Sequence, residues 1–109
     1  MKEINWEKVH RGISEAKMPR IKTLSEEQYE VLYKIARKSK MDCWFLIKQH
    51  IRGKHAGEDY VYDLENGKQM SLRAGVNELA EGVTDQMIDY FFTDNDIRVL
   101  EDVLIGVNV

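Results

Sequence analysis

The sequence contains three histidines and one cysteine, the residues whose side chains could bind a soft metal ion. His50 and His55 lie close together in the sequence, Cys43 precedes them, and His10 lies far away. Zinc prefers imidazole and thiolate ligands, but these spacings match no zinc-finger pattern. On a regular strand, Cys43 and His50 would also point to opposite faces. We therefore expect surface histidines, a buried cysteine and no metal site.

The acidic run 94–96 begins like a calcium-binding loop. Arg98, however, falls on the next ligand position, and the glycine and the distal glutamate of such a loop are missing. Thr93 followed by Asp96 fits a helix capping box instead. We expect this run to begin a helix.

A second acidic group, Asp59, Asp63 and Glu65 with Lys68, could be taken for a nuclease site. A metal-dependent nuclease needs converging carboxylates, whereas the turn at 66–67 separates Glu65 from Lys68. We expect these two residues to form a cross-strand ion pair. Phosphate-binding glycine loops and the HExxH, GxSxG and paired CxxC motifs are absent from the sequence. We therefore expect neither a cofactor nor catalytic residues.

Aromatic and basic residues suggest a binding surface on the predicted strands. Trp44, Leu46 and Lys48 share one strand face, and Tyr60 and Tyr62 share a face of the next strand. If uncovered, these side chains would form an aromatic platform for bases or for a protein partner. The alternative is that helices cover both faces of the sheet.

The glycine-containing loop 52–57 follows the first strand and could contact phosphate through its basic side chains, although a solvated loop is the alternative. The candidate partner-binding residues of the strands and this loop are Trp44, Leu46, Lys48, Arg52, Lys54, His55, Tyr60 and Tyr62, with His50 beside them.

The charge is unevenly distributed along the chain. Residues 1–58 contain 13 Lys and Arg against 8 Asp and Glu, whereas residues 59–109 contain 3 against 11. The densest basic group is a candidate phosphate-binding set: Lys34, Arg37, Lys38 and Lys40. Two structural explanations compete with it, because these residues also suit the end of a helix and the two halves could neutralise each other on folding.

Helical periodicity and start signals flank the strands. Asn5 is expected to cap a first helix with Trp6, Val9, Ile13 and Ala16 on one stripe. Pro19 then ends the pattern. Ser25 and Gln28 form a capping box for a second helix. Three further helices are expected after caps at Ser71, Thr84 and Thr93, the last of them ending at Gly106.

Residues 43–51, 59–65 and 68–71 are predicted strands, and Asn66-Gly67 predicts a two-residue hairpin between the last two. The fold class that follows is α+β, with a small three-stranded antiparallel meander packed by four to five amphipathic helices. We expect a single domain over 1–109, in which 1–22 could form a loosely attached helix and loop on a core of 23–109.

The chain shows neither a membrane-spanning apolar run nor a secretory signal, and its lone cysteine suits a reducing compartment. We expect a cytoplasmic protein. The favoured hypothesis is a non-enzymatic interaction or regulatory accessory domain that binds another protein or itself, and not a membrane. The alternative is nucleic-acid binding through the basic region 34–55, and the third is an enzyme of unrecognised type.

Overall fold

The computed structural model describes residues 3–38 and 45–109. This part of the chain contains five helices and a three-stranded antiparallel sheet, which confirms the predicted α+β class. The elements in chain order are α1 (Trp6–Glu15), α2 (Glu26–Lys38), β1 (Phe45–Gln49), β2 (Asp59–Asp63), β3 (Lys68–Ser71), α3 (Leu72–Glu81), α4 (Asp85–Phe91) and α5 (Asp94–Asn108). None of these helices is long and apolar enough to cross a bilayer.

The sheet has the order β1-β2-β3, with β2 at its centre. Ile47 lies opposite Val61, and Val61 lies opposite Met70, so these three residues share one face. Val61 is fully buried there, while Ile47 and Met70 pack against the core. β1 ends at Gln49 and β2 at Asp63, so both strands are shorter than predicted. Residues 43 and 44 of the predicted first strand lie outside the described residues.

The hairpin between β2 and β3 differs from the prediction. Lys68 pairs with Asp63 and not with Glu65, so the connection is a four-residue turn over 64–67. The cause is the Asp63 carboxylate, whose Oδ1 accepts the N–H groups of Glu65 and Asn66 and whose Oδ2 accepts the Asn66 side-chain amide. These bonds close the turn before Glu65 can pair. Gly67 supplies the positive φ of 62° that the turn needs.

The predicted helix starts are confirmed. Ser25 Oγ accepts the N–H of Gln28, and the Ser25 N–H donates back to Gln28 Oε1. Thr93 and Asp96 make the same reciprocal pair at the start of α5. The oxygens of Asn5, Ser71 and Thr84 accept backbone N–H groups three residues later in α1, α3 and α4. Each cap satisfies an N–H that lacks a partner within its helix.

The core is built around α5, against which α1, α2 and α3 pack. Leu100, Val103 and Val107 of this helix are fully buried. α5 continues through Gly106 to Asn108, so the prediction that Gly106 ends the helix was wrong. Ile21 packs directly on Gly106, where a Cβ would clash with it. The glycine therefore permits close packing of the 20–24 segment.

Residues of the N-terminal segment pack on α5 at several points. Val9 is buried, but Trp6, predicted on the same apolar stripe, is 46% exposed. Glu101 of α5 is 4% exposed and accepts the Asn5 N–H through Oε2 at 2.7 Å. Its Oε1 accepts from Lys8 Nζ at 3.2 Å. A buried carboxylate thus connects α5 to the beginning of α1.

Candidate functional site

The sheet face opposite Val61 is accessible to solvent. Strand alternation and register place Leu46, Lys48, Tyr60, Tyr62 and Gln69 on it, and we call these five residues the open face. Lys48 and Gln69 are exposed, and the other three are half-buried. α3, by contrast, packs on the sheet from the Val61 side. Three strands thus present two tyrosines and a lysine to solvent.

The two tyrosines have cationic or titratable neighbours. The His50 and Tyr60 rings lie with their centroids 4.2 Å apart, and the His55 ring lies 6.0 Å from that of His50. Lys48 Nζ lies 5.4 Å from the centre of the Tyr62 ring. The contact with Lys48 holds the Tyr62 ring beside a positive charge.

A cleft of about 380 Å³ lies at the end of the sheet next to Tyr60. The segment 20–24, the loop after β1 and the junction of β3 with α3 surround it. Its basic or titratable lining residues are Arg20, Lys22, His50, His55 and Arg73. Ile21, Met70 and Leu72 add apolar surface to the same cleft. We refer to this space as the basic cleft.

Two acidic residues line the basic cleft: Asp59, which is buried, and Glu58, which is half-buried and already paired. His55 Nδ1 lies 2.8 Å from its Oε2, and Lys22 Nζ lies 3.6 Å from its Oε1. The hydrogen bond with His55 and the charge of Lys22 lower the pKa of Glu58. This carboxylate therefore offsets part of the positive charge of the cleft.

Two arginines are less engaged. The Arg20 side chain has neither a hydrogen bond nor an ion pair with any residue of 3–38 and 45–109. Arg73 Nε donates only a long bond of 3.4 Å to Asn108 Oδ1. Both guanidinium groups can therefore bind a ligand without breaking a strong contact.

α3 begins at the basic cleft. Ser71 Oγ accepts the Ala74 N–H, which leaves the first N–H groups of α3, at Leu72 and Arg73, without a partner inside the helix. Leu72 and Arg73 both line the cleft. The positive end of the helix dipole adds to the charge of the side chains there.

Backbone hydrogen bonds form one wall of the basic cleft. The Asp59 N–H donates to the Lys22 carbonyl at 2.7 Å, and the Ile21 N–H donates to the Gly106 carbonyl at 2.8 Å. Asp59 Oδ2, in turn, accepts the Leu24 N–H at 2.7 Å. The carboxylate of buried Asp59 thus helps to hold this wall.

The loop after β1 is fixed by its own hydrogen bonds. His50 exchanges bonds with residues 57 and 58, since its N–H donates to Glu58 O and its carbonyl accepts from the Gly57 N–H. Positive φ angles at Gly53 and Gly57 allow the loop to turn. Arg52 and Lys54 are exposed on it. These side chains extend the basic surface beyond the cleft.

The basic group predicted to bind phosphate on α2 has intramolecular partners. Lys34 Nζ forms a 2.7 Å ion pair with Asp96 and lies 5.6 Å from the Phe92 ring centre. Lys38 Nζ lies 3.9 Å from the Phe91 ring centre. Arg37 is exposed, and Lys40 lies outside the described residues. Two of the three described members of this group therefore already contact other side chains.

Several other candidate residues lie apart from the site. Trp44 and Cys43 fall outside the described residues. His10 lies on α1, where its ring is 6.3 Å from that of Trp6. Within 3–38 and 45–109, no three His, Cys, Asp or Glu side chains are grouped to hold a metal ion.

Sequence reasoning missed three residues of the basic cleft: Arg20, Lys22 and Arg73. The first two belong to the loop after α1, and the third to α3. They reach His50 and Tyr60 only through tertiary contacts, so no local pattern indicates them. The one sequence signal was the concentration of basic residues before residue 58.

Comparison with protein-family models, with curated proteins and with solved structures finds no match to this chain.

Proposed function

We propose that the protein binds single-stranded nucleic acid on the open face and the basic cleft. The observation that carries the proposal is the placement of Arg20, Lys22 and Arg73 around the cleft that also contains the rings of His50 and Tyr60. Single strands are bound by this combination, because bases stack on aromatic side chains while phosphates contact basic ones.

The spacing of the aromatic rings supports this function. Tyr60 and Tyr62 are two residues apart on β2, which separates their attachment points by about 7 Å. Two successive bases that have separated from each other could each contact one ring. Lys48 lies beside Tyr62, where it can pair with the phosphate that joins them.

Four acidic residues of α3 and α4 lie away from the basic cleft, whereas Glu58 and Asp59 line it. α3 starts at the basic cleft and is about 15 Å long, so Glu78 and Glu81 lie at its far end. Asp85 and Asp89 follow on α4. The net charge of −3 therefore coexists with a local positive surface.

The test is fluorescence anisotropy with labelled single-stranded RNA and DNA of about 10 nucleotides at several salt concentrations. We expect affinity to fall as salt rises, with duplexes bound more weakly. Tyr62→Ser should weaken binding about fivefold or more, whereas Tyr62→Phe should retain it, because stacking needs the ring and not the hydroxyl.

Tyr90→Ser is the matched control for Tyr62→Ser. Tyr90 lies on α4 and is 76% exposed, so its loss should change neither folding nor binding. Absence of binding to every oligonucleotide at low salt, with a folded protein by circular dichroism, would rule out the proposal.

A second candidate is protein interaction through the loop that follows β1, which one observation favours. Ile51 lies in this loop, next to His50, and is 88% exposed, an unusual placement for a large apolar side chain. Such a side chain could contribute to a protein contact, such as self-association. Sedimentation velocity over a wide concentration range tests this. A dimer that Ile51→Ser abolishes would favour it, and a monomer at every concentration would count against self-association.

A further inference from the structure

We infer that the basic cleft binds a terminal phosphate group of the single strand. This inference rests on the proposed function and adds the feature of the ligand that the cleft recognises. A terminal phosphomonoester carries a charge of about −1.5 to −2 at neutral pH, more than the single charge of an internal phosphodiester. A site with several convergent cations favours the more highly charged group.

The shape of the cleft favours a chain end over a passing strand. A strand that continued through the cleft would need an entrance and an exit. On one side, however, the bond from the Asp59 N–H to the Lys22 carbonyl joins the 20–24 segment to β2. The bond from the Leu24 N–H to the Asp59 carboxylate reinforces the same wall. A strand that arrives from the open face therefore ends at this wall.

The donors in the cleft suit a phosphate with three free oxygens. Arg20 and Arg73 each offer a planar fork of N–H groups, and the Arg20 side chain has no partner among the described residues. The first N–H groups of α3 line the same space as independent donors. The phosphate therefore meets donors from two segments that are more than fifty residues apart.

The last nucleotide would use the aromatic part of the cleft. The His50 and Tyr60 rings lie beside the basic lining residues, so a base attached to the bound phosphate can reach one of these rings. The next base would then extend toward Tyr62. The open face and the basic cleft thereby form one continuous binding path.

The experiment compares one oligonucleotide in three forms: with a 5′ phosphate, with a 3′ phosphate and with neither. All carry the same internal label. We expect one phosphorylated form to bind about tenfold more tightly than the unphosphorylated form. Arg20→Gln and Arg73→Gln should reduce that preference about fivefold each, because both should weaken binding of the phosphorylated form more than binding of the unphosphorylated form. Arg98→Gln, an exposed arginine of α5, is the matched control and should keep the preference.

A gain of binding provides a test that misfolding cannot imitate. Glu58 pairs with Lys22 and His55, so Glu58→Gln removes a negative charge and frees both partners. We expect the phosphorylated form to bind about threefold more tightly to this variant. Equal affinities for all three forms would overturn the terminal-phosphate inference while strand binding stood. No binding of any form would instead overturn the proposed function.

Discussion

The backbone N–H of Asp59 donates to the carbonyl of Lys22 at 2.7 Å, and this bond places the 20–24 segment beside the central strand of the sheet. Lys22 occupies the position next to β2 beyond the end of β3. The bond brings a loop that follows α1 to the end of the open face. Arg20 and Lys22 thereby become part of a cleft whose other residues come from the middle of the chain.

Asp59→Ala should both destabilise the fold and reduce the affinity of the basic cleft for oligonucleotides. Its carboxylate accepts the Leu24 N–H at 2.7 Å in a buried setting. Removal leaves that donor unsatisfied, and we expect a loss of about 1–3 kcal/mol in the free energy of unfolding. Urea denaturation measures this loss. Oligonucleotide affinity measured below the transition should fall as well, because Arg20 loses its support. Unchanged stability would show that the bond does not hold the segment.

Glu101→Ala should release the start of α1 from α5 and lower the free energy of unfolding substantially. The buried carboxylate accepts from the Asn5 N–H and from Lys8 Nζ. We expect about 3 kcal/mol of destabilisation by urea denaturation, because a buried acceptor is lost and a cavity is created. Glu7→Ala is the control. Glu7 is 89% exposed with Arg11 at 3.9 Å, so its loss should cost less than about 0.5 kcal/mol. Equal costs would contradict a special role of Glu101.

Local features of the sequence predicted the helices well. The capping boxes at Ser25 and Thr93 each lie within four residues, so their geometry needs no knowledge of the rest of the fold. The hairpin was misread because Asn66-Gly67 is also compatible with a longer turn. Its register was decided by the Asp63 carboxylate, which bonds Glu65 and Asn66. Competing local signals of this kind cannot be ranked by residue type alone.

The site could be predicted only in part. Strand alternation predicted that Lys48, Tyr60 and Tyr62 lie on the faces of their strands, and the register places all three on one face of the sheet. Arg20 and Arg73 were missed because their position depends on contacts between distant segments. The packing role of the glycines in α3 and α5 could not be predicted from the sequence, for the same reason. Gly75 contacts Val61 and Gly106 contacts Ile21, both far away in the sequence.

Gly75→Ala should destabilise the protein although alanine is the better helix former. A Cβ on Gly75 would clash with the fully buried Val61 side chain. The energetic cost of this clash should exceed the gain of about 1 kcal/mol in helix propensity. We therefore expect a net loss of about 2 kcal/mol in the free energy of unfolding, measured by thermal or urea unfolding. Val61→Ala in the same chain removes the nearest γ-carbon but leaves the Val61 Cβ 2.5 Å from the added Cβ, so it should relieve the clash in part. The double variant should therefore lose less than the two single variants together.

Gly12→Ala is the matched helix control for Gly75→Ala. Its Cβ would meet Ile105 Cδ1 at 2.6 Å, but this atom is the end of a partly exposed, flexible side chain that can turn away. We expect a change within about 0.5 kcal/mol, since the propensity gain offsets the adjustment. A loss as large as that of Gly75→Ala would mean that helix backbone effects, and not the contact with Val61, determine the result.

Asp96→Asn should weaken the contact of α2 with α5 in a pH-dependent manner. Burial acts to raise the pKa of Asp96, but the hydrogen bond from Lys34 and that from the Thr93 N–H together lower it below its ordinary value. A carboxyl whose pKa is lower in the folded state stabilises the fold above its unfolded pKa of about 3.9, and this contribution is lost as the pH falls through the folded pKa. At neutral pH we expect the variant to lose about 1–2 kcal/mol. The difference from the parent protein should shrink in acid, as followed by urea denaturation at a series of pH values.

Asp94→Asn, an exposed change in the same helical turn, should cost less than about 0.5 kcal/mol at neutral pH. A pH-independent loss in Asp96→Asn would show that side-chain shape, and not charge, makes the contact.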